Sequence, residues 1–336
     1  VLTDADLSTR SVRIAEMQFL RAYTYFKLKV SYKNIVYIDE NIPKGEYKDL
    51  SNRAVSDQDG WTWIIDDFRR AVSGLPTTQA DEGRPTKNAA QLFLAKSLIF
   101  KAFVQDDNHQ VASITTSELQ EAIGLFEAVE ATGEYDLWSD ISANYECATE
   151  SGIESVWAII RSIEDGMTEG RLNMGSALNS PSATGYGCCG FFTPSDNLIN
   201  AFKTDADGLP LFDTFNEAPI IETSVDVEAN NMDPRFSHGI AIIGMPWKYD
   251  PNRIFDETYA RSPSTYGFDM QFKDQLLPDD PCWRQAAAFY GSSRNTDAMR
   301  YADALLYWAE ALVEVGRQME AMPIINRIRE RAANST

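Results

Sequence analysis

The residues best suited to chemistry lie between Trp247 and Tyr266, where WKYDPNRIFDETYARSPSTY alternates aromatic rings with amides, carboxylates and guanidinium groups. Trp247, Tyr249, Tyr259 and Tyr266 offer flat apolar faces, and Asp250, Asn252 and Arg253 offer hydrogen-bonding partners, for a ligand with an apolar face and a polar edge. No helical period buries these rings. Tyr186 and Trp283, with Asn179, extend the same set into neighbouring irregular stretches. The competing expectation is that each ring packs beneath a long loop as a satellite of the core.

Reactive chemistry has less to draw on. His109 and His238 are the only histidines, so a histidine-based metal site or a nucleophile–histidine–carboxylate triad is short of parts. Cys147, Cys188, Cys189 and Cys282 show none of the two-residue spacing of zinc or redox motifs and read as free or partly buried thiols. Carboxylate pairs such as Asp66-Asp67, Asp106-Asp107 and Asp279-Asp280 are expected by chance among 50 acids and read as solvated faces. A glycosidase needs two such groups facing across a cleft at about 5–10 Å, which adjacency does not supply. Asp205-x-Asp207-Gly208 reads as a tight turn, because the further ligands of a calcium loop are missing. The expectation is a protein that binds and does not react, with no cofactor and no metal.

With 30 Lys+Arg and 50 Asp+Glu, 30 − 50 gives a net charge of −20, which repels nucleic-acid phosphates and anionic lipid alike. A hydrophobic share of 44% belongs to a folded protein and not to a disordered acidic tail. No stretch approaches the ~20 apolar residues of a membrane span.

The elements that must position the candidate residues follow from periodicity. Residues 8–30 place Phe19, Tyr23, Phe26 and Val30 on one helical stripe, widened by Leu20. Further helices are expected from Asp57 as cap (Trp61, Ile64, Ile65, Phe68, Val72), from Thr86 (Ala90, Phe93, Leu94, Ser97, Leu98) and over 116–131 (Leu119, Ala122, Ile123, Phe126, Val129). After Gly133 the chain becomes rich in Gly, Pro, Ser and Asn. Its strand candidates there are 155–161 and 240–243, and one helix is expected after Thr193 as cap. Helical order returns at 297–315 and, after Gly316, in a helix carrying Ala321, Ile324, Ile325 and Ile328. Large residues beside Ala309, Ala311 and Ala321 suggest hairpins packed small-into-large, as in tetratricopeptide repeats, without a fixed 34-residue period. Trp61, Trp157 and Trp308 are expected in the core, whereas Trp63 falls off its stripe. The fold expected is mainly α: TPR-like helical hairpins form a scaffold that carries a long, loop-rich region with short strands. Its parts are a helical layer over 1–132, a ligand-binding region over 133–296 and a helical hairpin over 297–336, joined as one composite domain.

Five blocks, taken in order, resemble the SusD/RagB family of nutrient-binding proteins. AEMQFLRAYTYFKLKVSYKNIVYI resembles the family's first signature helix, GRPTKNAAQLFLAKSLIF its R-x-T-K-x-A-A helix, FFTPSDNLINAF its P-S-x-x-L-x-x-A-F helix and MDPRF its D-P-R-F turn. MRYADALLYWAEALVEVGRQMEAMPIINRIRERA resembles its final helical pair. The resemblance implies a non-catalytic, surface-exposed lipoprotein of the Bacteroidetes outer membrane. Such a protein binds oligosaccharide, or in some members peptide, and delivers it to a SusC-like TonB-dependent transporter. It also implies an internal piece of a longer protein, whose lipid anchor would lie outside this chain. The alternative expectation is a helical scaffold that binds protein or peptide and no sugar.

Overall fold

The computed structural model describes residues 9–335 apart from 164, 167–169, 180–189, 218, 274 and 287–288, with the side chains of 176, 177, 179, 286 and 289 also outside the description. In chain order the first elements are α1 (Arg10–Tyr32), α2 (Asp57–Gly74), α3 (Lys87–Ala102), β1 (Phe103–Gln105), β2 (Val111–Ile114), α4 (Thr116–Glu130) and β3 (Ser155–Ile159). The irregular region carries α5 (Asp196–Asn200), α6 (Ser224–Ala229), α7 (Phe236–Gly239), β4 (Ile240–Ala241), β5 (Pro246–Trp247), β6 (Asp250–Ile254), α8 (Pro263–Tyr266) and β7 (Met270–Gln271). Last come β8 (Trp283–Ala286), β9 (Phe289–Ser292), β10 (Thr296–Arg300), α9 (Tyr301–Glu314) and α10 (Gln318–Asn334). The strands pair only in twos: β1 with β2, β3 with β10, β4 with β7, β5 with β6 and β8 with β9. The mainly helical architecture with short strands is the one that periodicity predicts.

The chain divides into two compact units. The first comprises the described part of Val1–Leu137 with Ile153–Ala158 and Asp297–Ile328; the second comprises Trp138–Gly152, Ile159–Thr296 and the described part of Arg329–Thr336.

In the first unit α1 runs 23 residues without Gly or Pro, and its inward stripe is Ala15, Phe19, Ala22 and Phe26. Leu20 and Val30, expected on that stripe, are instead 39% and 52% exposed, because the neighbours cover a narrower arc of the helix. Phe19 meets Phe68 of α2, Phe93 of α3 and Trp157 of β3 edge-on at 5.6, 5.4 and 4.9 Å, an arrangement aromatic quadrupoles favour. Trp157 is held in place as its Nε1 donates to the Gly83 carbonyl at 2.8 Å.

The helix starts are specified by side chains. Ser56, one residue before the expected Asp57, caps α2 by accepting from the Asp59 amide at 3.1 Å, and Thr86 caps α3 by accepting from Ala89 at 3.2 Å. Along α9 and α10, Ala309, Ala311 and Ala321 are buried, and Trp308 stacks on Phe126 of α4 at 6.3 Å. The small-into-large packing of a helical hairpin is therefore present. The expected helical start at 297 is corrected: residues 296–300 extend as β10 beside β3, and α9 begins at Tyr301.

Several charges are inside, among them Asp67 of a pair expected on a solvated face. Asp67 is 1% exposed and accepts two hydrogen bonds from Arg21, at 2.6 and 2.8 Å, and a third from the Tyr37 hydroxyl at 3.1 Å. Lys29, 3% exposed, donates to Asp57 at 2.5 Å and to the Lys33 carbonyl at 2.7 Å. Glu16, also buried, accepts from Arg13, Arg84 and Gln79. Trp63, off its own stripe, lies against Tyr37 at 4.7 Å.

The second unit relies on covalent chemistry as well as packing. Cys147 and Cys282 are joined in a disulfide across a sequence separation of 135, which corrects the expectation of free thiols there. The missing signal is physical, since two cysteines so far apart in sequence meet only through tertiary structure. A loop of that size loses much conformational entropy in the unfolded chain when closed. Cys188 and Cys189 lie outside the described residues.

Phe19→Ala removes the ring shared by α1, α2, α3 and β3. We expect a loss of about 3–5 kcal/mol in urea unfolding, whereas Leu20→Ala, at an exposed position, shifts the midpoint by less than about 1 kcal/mol.

Candidate functional site

The Trp247–Tyr266 segment folds around a small apolar cluster of the second unit, built from Ala241, Trp247, Phe255, Tyr259, Met270 and Phe272. Trp247 and Asp250 face each other across the β5–β6 hairpin, leaving Lys248 and Tyr249 as a two-residue turn. Both turn residues have positive φ, 52° and 64°. That is the twist a tight hairpin requires, normally supplied by Asn-Gly, and for ordinary residues it costs of order 1 kcal/mol each. Side-chain contacts hold the turn in place. Tyr249 sets its ring edge-on to Phe272 at 5.1 Å, and its hydroxyl lies 2.9 Å from His238 Nδ1. Lys248 sits over the Phe272 ring at 5.0 Å and donates to the Phe272 carbonyl at 3.3 Å. His238 is 1% exposed. Burial above all, with Lys273 and Arg331 adding to it and Asp140 opposing, keeps its imidazolium form disfavoured.

The candidate residues separate by exposure. Trp247 is wholly enclosed, stacked at 5.6 Å on Phe255, tilted at 5.6 Å against Tyr259 and edge-on to Phe272 at 5.4 Å. Both of its faces are taken, so its role here is core. Tyr259 is 9% exposed in the same cluster. Tyr249 is half-buried through the contacts above. Asn252 is exposed and bonds back to Asp250, while Arg253 lies 3.6 Å from Asp250 and 3.8 Å from Asp279. Tyr266 is 58% exposed at the end of α8. Trp283 is half-buried on β8, stacked on Tyr290 of β9 at 6.0 Å. Tyr186, and the side chain of Asn179, fall outside the described residues.

Open aromatic faces also occur where sequence reasoning did not look. Phe191 and Phe192 are 47% and 71% exposed, and the Arg261 guanidinium lies over Phe191 at 5.2 Å. That contact brings the loop before α5 to the stretch ending at Tyr266. An aromatic doublet between Gly190 and Pro194, in a segment with no helical or strand period, was the available signal. Platforms of this kind, with a guanidinium beside them, suit the C–H face and the hydroxyls of a sugar. Among the described residues, the grouping closest to a metal site is Cys147, Asp280 and Cys282, but its sulfurs are joined and offer no thiolate.

Residues 153–336 match the model of the SusD family. The chain belongs to the SusD family. Solved structures share the fold. A SusD-like protein of Bacteroides fragilis NCTC 9343 is 21% identical, with a TM-score of 0.74 over 97% of this chain and 62% of its own. A SusD-like carbohydrate-binding protein of the same organism is 20% identical, with a TM-score of 0.70 over 100% and 61%. A structure solved with a xylogluco-oligosaccharide is 18% identical, with a TM-score of 0.62 over 96% and 59%. The chain thus spans about three-fifths of the length of these structures. No curated protein matches it.

Two family blocks acquire a physical reading from the SusD fold. In MDPRF, Asp233 accepts from the Arg235 guanidinium at 2.6 Å and from its amide at 2.9 Å, closing the turn that buries Phe236. In FFTPSDNLINAF the cap of α5 is Ser195, which accepts from the Leu198 amide at 3.3 Å, two residues beyond the expected Thr193. Ile199 is buried whereas Leu198 is 50% exposed, because α5 is only five residues long and buries one side.

Trp247→Ala is expected to lower stability by about 3–5 kcal/mol through the cavity it leaves, read as a fall in the thermal midpoint. Asp269 supplies a pH test. Burial, with repulsion from Asp196 and Glu222, pushes its carboxyl up from the ordinary 3.8 to about 7. A folded value above the unfolded one favours the native state below pH ~4, and this contribution is lost as pH rises through about 7. Asp269→Asn should therefore raise the melting temperature at pH 8 and leave it unchanged at pH 4.

Proposed function

We propose that this SusD-family chain captures oligosaccharide at the outer face of the outer membrane and delivers it, without catalysis, to a TonB-dependent transporter. Membership of the family is the observation that carries the reading, and two relatives of the same fold support it: one is described as carbohydrate-binding, the other was solved with a xylogluco-oligosaccharide. The open rings of Phe191, Phe192 and Tyr266, with Arg261 beside them, are the part of the second unit whose chemistry fits such a ligand. Arg253 and Asn252 on the outer edge of β6 supply polar groups of the kind that sugar hydroxyls use.

Two features, a disulfide and a groove, support the rest of the reading. The Cys147–Cys282 disulfide is at home in an oxidising, extracytoplasmic setting. No described helix is long and apolar enough to cross a bilayer; the lipid anchor that the family resemblance implies is the proposed means of attachment. A protein partner would find a groove of about 580 Å3 on the outer side of α1, where Arg10, Arg13 and Arg21 border Ile14, Met17 and Tyr47. The same groove is the feature that favours the second reading, a scaffold that binds protein and no sugar.

Affinity electrophoresis through gels containing neutral polysaccharides, followed by calorimetry with their oligosaccharides, separates the two. The expected result is retardation by at least one glycan with no change in its chain length on prolonged incubation. Retardation by none of the glycans, together with binding of a peptide, would favour the scaffold.

A further inference from the structure

A cavity in the first unit has a volume of about 860 Å3, within the ~300–1,000 Å3 of small-molecule sites. It opens where the C-terminal ends of α1 and α3 meet the start of α2, with the β1–β2 hairpin and α9 as walls. One side is aromatic: Trp61 lies 5.8 Å from Phe100, and Phe100 lies 6.2 Å from Tyr307. Tyr32, 71% exposed, stands at the rim.

The polar groups are arranged as opposites. Lys29, almost wholly buried, is bonded to Asp57. Lys33 lies 3.1 Å from His109 Nδ1, and Glu310 of α9 completes the lining. Two lysines against two carboxylates leave the cup without net charge in a chain of net charge −20. An anion entering it would face Asp57, Glu310 and the carbonyl ends of two helices. A cation would face Lys29 and Lys33, with Lys96 over the Tyr307 ring at 4.9 Å. An uncharged ring with one apolar face and a hydroxylated edge meets neither penalty: rings take the face, and Lys33, Gln105 and Glu310 take the hydroxyls.

We propose that this cup is a second oligosaccharide-binding site, separate from the loops of the second unit, taking the end of a neutral glycan chain against Phe100 and Tyr307. The proposal rests on the glycan-binding reading above and goes beyond it by naming another location and the charge class of the ligand.

The test uses the whole chain and three uncharged ligands: cellohexaose, maltohexaose and a xylogluco-oligosaccharide. Hydrogen exchange at saturating sugar is expected to slow at residues 29–33 and 99–111. Calorimetry is expected to show at least tenfold weaker binding at this site for Tyr32→Ala and for Glu310→Gln, both at exposed positions where the fold, checked by circular dichroism, should persist. Binding that is unchanged in both variants, with no protection in the cup but a loss in Tyr266→Ala, overturns the cup and leaves the glycan-binding reading standing. Absence of binding to all three sugars and to the wider polysaccharide panel overturns both. Protection of the cup by a peptide and by no sugar also overturns the proposal.

Discussion

Phe19 is the contact on which the helical unit depends. A single ring on α1 meets one ring each from α2, α3 and β3, so three helices and a strand are referred to one point. Edge-on geometry restricts how each neighbour approaches, which a contact between aliphatic side chains does not do as strictly. Gly74 reinforces the constraint from the end of α2, since a Cβ there would come within 2.7 Å of the Ala15 Cβ on α1. Close approach then places Arg21 beside Asp67 and Lys29 beside Asp57, two buried charges that need their partners. Position and charge on α1 are therefore not independent choices. A helix shifted by one turn would strand both cations.

The two units specify themselves by different means. The helical unit uses periodic stripes, caps and small-into-large contacts, whose effects are local and repeat along the chain. The second unit has two small apolar clusters, one around Trp247 and Phe255 and one around Phe236 and Ile199, separate from the main core. It supplements them with a disulfide and with turns such as Asp205-x-Asp207-Gly208, where Asp205 accepts from the amides of Asp207 and Leu209 at 2.9 and 2.8 Å. Irregular chain held in this way leaves aromatic faces such as Phe192 open, which a helix with a full apolar stripe does not.

Legibility follows the same division. The stripes of α2, α3 and α4 were readable because 3.6-residue periodicity is written into consecutive positions, and the order of the family blocks carried the fold as a whole. Buried ions were not readable. Asp67 looks like any surface acid until Arg21, 46 residues away, is placed against it. The irregular region gave its aromatics but not their orientation. Trp247 and Tyr266 bracket one segment and look equally suited to a ligand, yet the first is sealed by Phe255, Tyr259 and Phe272 and the second is open. Only the return of β7 and the fold of β5 onto β6 decides between them, and neither leaves a local signal. The Phe191-Phe192 doublet was visible but had no neighbour in sequence to give it meaning; Arg261 supplies that neighbour only in three dimensions.

The link between Cys147 and Cys282 has one more consequence, wherever proteases act on the chain. Most of the irregular chain lies between these two cysteines. A single cut in any exposed loop of that interval leaves both new fragments tied together by the disulfide, and for cuts between β3 and Cys282 the pairing of β3, inside the interval, with β10, beyond it, is a second hold. Damage to a loop there is thereby converted from loss of a fragment into a nick, and a nicked chain can keep its shape.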